Sequence, residues 1–337
     1  MRYLITNKTI SFLLFASFTI LISCTPIQLK PTPTAELNPS TEAQSLASSS
    51  TIKAVQKTPS SNVNLSKNLW SRLFSLYQFP TIENDRIQAE IDWYSKHPDY
   101  LIRVQQNAKP YLFHIVNEIE KRGLPGELAL LPIVESAYKP FAYSHGRAAG
   151  LWQFIPSTGV AYGLKQTWWY DGRRDVYAST NAALTYLTKL SKRFDDDWFL
   201  ALAGYNAGGG SVSSAMRKNR RLGRPTDFWA LSLRKETRHY VPKLIAIASI
   251  LANADKYNVT LIDIPNEPFF EKVNITKQLD LARAAELAEI SIEDLYILNP
   301  SFNQWATSPE GPHYLLLPVS KSADFKTRLT TLKVGSP

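Results

Sequence analysis

Apolar residues along the chain recur mostly at helical spacing. Ile87, Ile91 and Tyr94 fall on one helical face. Leu112, Ile115, Val116 and Ile119 repeat at i, i+3, i+4 and i+7, and Gly123 with Pro125 predicts the end of that helix. A further helix is expected over Ala178–Phe194, with Leu184, Tyr186 and Leu187 towards its core face. Trp198–Tyr205 reads as a short apolar helix stopped by Gly208, Gly209 and Gly210, and Glu236–Asn253 as a long, strongly apolar one. The body over 66–256 is therefore expected to be mainly α, with its functional core at about 110–245. After Pro265 the period changes. Phe269–Ile275 alternates like a strand, two short helices follow, and Pro312–Val319 reads as a closing strand, a βααβ unit over 265–322.

Residues 1–65 lack this patterning. A basic start (Arg2, Lys8) precedes an apolar run from Ile10 to Ile22, too short for a comfortable membrane span and proportioned like a signal-peptide core. The run closes on Leu21-Ile22-Ser23-Cys24, which resembles a bacterial lipobox. The chain has 1 cysteine, so no intramolecular disulfide is possible, and that cysteine stands where a lipobox needs it. Residues 1–23 are thus expected to be a lipoprotein signal and Cys24 a lipidation site. Residues 25–65, rich in Ser, Thr, Pro and Ala, read as a flexible tether behind it. Thr25 follows the cysteine where an Asp would signal inner-membrane retention, so the resemblance implies the periplasmic face of the outer membrane.

The 337 residues are 44% hydrophobic and 12% aromatic, enough for a substantial core, and a net charge of +9 suits an acidic partner. No zinc-finger spacing, RNA-binding aromatic motif or long basic block accompanies that charge, so nucleic acid is not implied. The densest basic run, Arg217–Arg224, reads as a solvated loop. The five histidines show no metal-ligand spacing, and no metal or cofactor is implied.

The candidate chemistry begins in "LALLPIVES", an apolar run that ends on Glu135. A carboxyl at the end of an apolar helix facing a cleft is penalised as an anion, so its pKa rises and it holds a proton near neutral pH. Such an acid can protonate a leaving oxygen, the first need of glycosidic cleavage. Two-carboxylate glycosidases set a second acid across the bond. No Asp or Glu occurs between Ser136 and Tyr170. The cluster Asp171, Arg173, Arg174 and Asp175 reads as a loop brace.

Three motifs in order, Glu135-Ser136, Gly150-Leu151-Trp152-Gln153 and "LAGYNAG" over Leu202–Gly208, resemble the goose-lysozyme-like SLT catalytic domain of lytic transglycosylases. The longer string from Leu124 to Leu244 is similar to membrane-bound members of that family. The resemblance implies a peptidoglycan-cleaving enzyme with Glu135 as the sole catalytic acid and base. The substrate's own 6-hydroxyl would attack, leaving a 1,6-anhydro end. It further implies that Ser136 binds substrate or orients the acid and that Gln153 bonds an N-acetyl group or sugar hydroxyl. Gly150 would allow close backbone approach, and Tyr205 would help orient the acid. Asn206 on the cleft floor and Tyr240 beside it read equally as substrate-binding or as packing residues. A muramidase that uses water and a wall-binding protein without catalysis stand as alternatives. The βααβ unit resembles a LysM module through Ala285, Leu287, Ala288, Ile292, Leu295, Asn299 and Pro318. Lys277-Gln278-Leu279 replaces the usual Gly-Asp-Thr turn, so a structural cap and a glycan binder stand level.

Overall fold

The computed structural model describes residues 68–334. The signal segment, Cys24 and the tether lie outside the described residues. Ten helices form the body: α1 (Leu69–Ser75), α2 (Asp85–Ser95), α3 (Pro98–Ala108), α4 (Leu112–Glu120), α5 (Leu131–Ser136), α6 (Pro156–Ala161), α7 (Val176–Arg193), α8 (Trp198–Ala207), α9 (Gly209–Arg221) and α10 (Lys235–Ala252). Most begin on residues suited to the task. Asn68, Asn84, Asp175 and Asp197 each accept a backbone N–H of the first turn of α1, α2, α7 and α8. Pro98 stands in the first turn of α3, where its missing N–H costs nothing.

The expected apolar faces are the buried ones: Ile87, Ile91 and Tyr94 on α2, and Leu112, Ile115, Val116 and Ile119 on α4. Two local expectations change. Gly208 alone stops α8, because Gly209 and Gly210 open α9. The basic run Arg217–Arg224 is not a loop. Its first five residues close α9, with Arg217, Lys218, Arg220 and Arg221 exposed and Asn219 buried, and the cations complement the carbonyl end of the helix.

The C-terminal unit comprises β1 (Phe270–Asn274), α11 (Leu281–Ala288), α12 (Ile292–Leu298) and β2 (Tyr314–Pro318), followed by α13 (Val319–Val334). β1 and β2 pair antiparallel, Phe270 opposite Pro318 and Asn274 opposite Tyr314. The strand period divides the strand between two cores. Leu315 and Leu317 face the unit's own cluster, and Leu316 joins the core of the body. Buried Asn299 links α12 to β2, with its amide donating to Leu295 O and Leu316 O and its oxygen accepting from Leu316 N. The helix α13 was not expected, and the boundary anticipated at 322 falls inside it. Phe325 of α13 is fully buried in the unit's cluster.

This unit is joined to the body through polar contacts as well as Leu316. Asp171 N donates to Ser301 O at 2.8 Å, Asn303 N to Trp169 O at 2.9 Å and Tyr111 OH to Ile297 O at 2.7 Å. Across the strand-to-helix turns, Leu279 and Thr307 bond each other twice, and Gln278 donates to Thr307 O. The segment between the two parts is strapped down by Gln105, which donates to Thr260 O and accepts from Ile262 N.

Candidate active site

The run that leads to Glu135 is core almost to its end. Gly126–Leu130 form a buried single turn, and Leu131, Pro132 and Ile133 of α5 are buried too. Val134 and Glu135 are the residues of α5 that reach a cavity of about 530 Å³. The helix stops sharply after them. Ala137 and Tyr138 both have positive φ, 51° and 58°, a conformation uncommon for residues with a Cβ. Their amides bond back to Ile133 O and Pro132 O, Asn107 holds Ala137 O, and the buried Tyr138 hydroxyl donates to Ala129 O at 2.6 Å. Tertiary contacts thus hold in place a turn that local propensity resists.

Glu135 keeps part of its surface in the cavity, yet enough protein surrounds its carboxyl to push the pKa up to about 7. Desolvation is the largest cause. The Tyr240 hydroxyl donates to Glu135 Oε1 and opposes the rise, whereas the nearby Glu236 charge adds to it. An acid balanced in this way both gives and accepts a proton near neutral pH.

Gln153, Tyr205, Asn206 and Tyr240 all line the cavity with Glu135. The Gln153 amide nitrogen donates to Gly150 O at 2.9 Å and Ala142 O at 3.2 Å, so its oxygen is left as the side chain's free hydrogen-bonding atom. That suits a ligand N–H or O–H. Tyr205 OH donates to Trp152 O at 2.8 Å. The tyrosine that bonds the acid is therefore Tyr240. Asn206 is fixed to the start of α10: it donates to Glu236 Oε1 at 3.3 Å and accepts from Thr237 Oγ1 at 2.7 Å.

Ser136 and Gly150 stand behind the cavity and are absent from its wall. Buried Ser136 Oγ lies 2.9 Å from Leu151 O and 3.1 Å from Pro132 O, which ties α5 to the Gly150–Gln153 segment. Gly150 has φ 81°, and a Cβ there would come within 2.2 Å of Arg173 O. Its close approach is to protein backbone. Arg173 itself braces the segment, pairing with Asp171 at 2.7 Å and donating to Arg147 O and Phe154 O. Trp152 is fully buried with Nε1 bonded to Thr180 Oγ1, whereas Trp168, Trp169 and His145 do not line this cavity.

Among the lining residues that sequence reasoning missed are Tyr186, Glu236 and Lys243. Glu236, Tyr240 and Lys243 stand at i, i+4 and i+7 on α10, a spacing that places them on one face. That spacing, read outward from Tyr240, would have found two of them. Glu236 also brings a second carboxylate to the cleft, which the acid-free stretch after Glu135 did not foretell. Among the described residues no cluster of His, Cys, Asp and Glu is placed to hold a metal ion.

Residues 115–228 match the family model of the transglycosylase SLT domain, and residues 269–334 that of the LysM-like domain of lytic transglycosylase MltD. Membrane-bound lytic murein transglycosylase D of Escherichia coli (strain K12) is 40% identical over 269 residues, 80% of this chain and 60% of that protein. The chain therefore spans only part of the length of this relative. A protein of Alteromonas sp. (strain M-1) named for tributyltin chloride resistance is 44% identical over 136 residues, 39% of this chain and 66% of that one. Among solved structures, an inactive mutant of the lytic transglycosylase Slt of Pseudomonas aeruginosa overlaps 42% of this chain and 24% of its own, at 25% identity and a TM-score of 0.32. The segment matched to the transglycosylase SLT domain thus holds Glu135, Gln153, Tyr205 and Asn206, and the segment matched to the LysM-like domain of MltD takes in the C-terminal unit, α13 included.

Proposed function

We propose that the chain is a peptidoglycan lytic transglycosylase that cleaves the bond between N-acetylmuramic acid and N-acetylglucosamine, with Glu135 as both acid and base. The observation that carries this reading is the Glu135 carboxyl, raised to about 7 in a cavity and bonded by Tyr240. In its protonated form Glu135 gives its proton to the glycosidic oxygen as the bond to the anomeric carbon breaks. The 2-acetamido oxygen of the muramyl sugar stabilises the positive charge that develops. The Glu135 carboxylate then takes the proton of that sugar's 6-hydroxyl, whose oxygen bonds the anomeric carbon. The result is a 1,6-anhydro end with no water consumed. Gln153 and Asn206 hold sugar substituents, while Ser136 and Gly150 act through the backbone they position.

Glu236 supports a second reading. A carboxylate in the same cavity is what a water-using muramidase would employ as base. Mass spectrometry of fragments released from isolated sacculi separates the two. Anhydro ends are expected, with roughly a thousandfold loss of release in Glu135→Gln. Reducing ends would move the assignment to hydrolysis, and full activity in the variant would remove Glu135 from the chemistry.

The lipobox-like sequence supports anchoring of the protein through acylated Cys24 at the periplasmic face of the outer membrane, with the tether giving reach to the wall. No helix among the described residues is long and apolar enough to cross a membrane. Cys24→Ser should abolish palmitate labelling and release the protein from outer-membrane fractions; retention of both would refute the anchor.

A further inference from the structure

A second cavity, of about 710 Å³, adjoins the one at Glu135. Val134, Glu236 and Lys243 line both, so the two share a rim. Apart from Ile133, its other walls come from outside the matched SLT segment, with Trp93, Tyr94 and Tyr100 on α2 and α3 and His239 on α10. Trp93 is 48% exposed; His97 stacks on its ring at 4.1 Å and Tyr94 meets it edge-on. These rings form a firm apolar wall.

The charged groups there differ in how they are satisfied. Glu90 is paired with His239 at 2.9 Å, and Glu236 accepts from Asn206. Lys235 is exposed at the rim. Lys243 is half-buried at the junction and has no hydrogen-bond or ion-pair partner among the described residues. An ammonium that loses hydration without gaining a fixed counter-charge favours an anionic ligand. The sugar rings of a peptidoglycan strand are uncharged. Their negative groups branch off the muramyl sugar through its lactyl ether, as the lactyl carboxylate itself or as the carboxylates of an attached peptide.

We propose that this second cavity takes the lactyl side-arm of the muramyl sugar bound beside Glu135, with the Lys243 ammonium meeting a carboxylate of that arm and the Trp93–Tyr100 wall covering its apolar part. The proposal rests on the glycan reading of the first cavity. It makes Lys243 a specificity residue, set at the fork between strand and branch.

Calorimetric titration of the full chain in detergent, carrying Glu135→Gln so that nothing turns over, tests it. The ligands are soluble strands bearing peptides, the same strands stripped of peptide by an amidase, and N-acetylglucosamine oligomers that lack the lactyl arm. Adding Lys243→Gln is expected to weaken binding of arm-bearing ligand roughly five- to tenfold. Lys243→Arg should stay within about twofold of the parent, and the oligomers should bind unchanged. Loss confined to peptide-bearing strands assigns the contact to a peptide carboxylate, loss confined to the stripped strands assigns it to the lactyl carboxylate that the amidase frees, and loss on both shows that Lys243 meets whichever of the two the arm carries. Equal loss on all three ligands, or on none, overturns the side-arm site and leaves the glycan reading standing. If the folded protein binds none of the three, the glycan reading itself fails and the side-arm site with it.

Discussion

Glu135 and Asp175 both accept hydrogen bonds from tyrosine hydroxyls, and they do opposite work. Asp175 is 4% exposed and accepts from three donors: Tyr170 OH at 3.0 Å, Tyr314 OH at 2.6 Å and Ala178 N at 2.8 Å. Tyr314 belongs to β2 and Tyr170 to the body, so this carboxylate is a joint between the two parts. Among the described residues, Glu135 accepts from Tyr240 alone, and it has Glu236 nearby. The helices differ as well. Asp175 caps the start of the long α7, where the helix end favours an anion, whereas Glu135 stands in the last turn of the short α5, where the effect is small and unfavourable. Three donors make Asp175 a joint between elements, whereas at Glu135 a single tyrosine donor leaves desolvation as the larger influence on its proton.

The largest expected effect tests the joint. Asp175→Ala leaves two buried phenols without their acceptor and removes the cap of α7, and should cost about 3 kcal/mol in urea denaturation. A loss below about 1 kcal/mol would show that the three bonds are not a joint. The next concerns the proton carrier and has the opposite sign. Above pH 7 the folded protein holds Glu135 as a poorly solvated anion, which the unfolded chain solvates better. Its stability contribution is thus full below the ordinary carboxylate range and is lost as pH rises through about 7. Glu135→Gln should therefore gain on the order of 2 kcal/mol over wild type at pH 8, discounted because part of the side chain meets the cleft, and nothing at pH 4. A pH-independent difference would break the contrast. Smallest is the effect of the single donor. Tyr240→Phe removes the influence that lowers the Glu135 pKa, so the alkaline limb of the pH–rate profile should move to higher pH. The maximal rate should fall by about tenfold as the acid becomes weaker and less well held. Tyr205→Phe, whose hydroxyl serves Trp152 O, should leave that limb in place. A shift in Tyr205→Phe and none in Tyr240→Phe would reverse the assignment.

The site was legible where its chemistry lay in contiguous motifs. Glu135, Gln153, Tyr205 and Asn206 could be named from short strings and do line one cavity. Ser136 and Gly150 belong to the same strings, but their neighbours are backbone carbonyls, which no motif reveals. The hydroxyl that bonds the acid is that of Tyr240, while Tyr205 donates to Trp152 O, because only the packing of α10 against α5 decides which hydroxyl meets the acid. The helix α13 escaped because Val319–Val334 is largely polar, and the burial of Phe325 organises it.

Local pattern was enough to specify α2, α4, α7, α8 and α10, the βααβ order and the apolar run that ends on one acid, since helix and strand periods are properties of neighbouring residues. Only the tertiary structure decided the state of that acid. Its solvation depends on the surrounding fold, its donor Tyr240 lies 105 positions away, and Glu236 and Lys243 reach the cleft on the same helix as that donor. Proton affinity depends on distances in space, which separation along the chain does not determine.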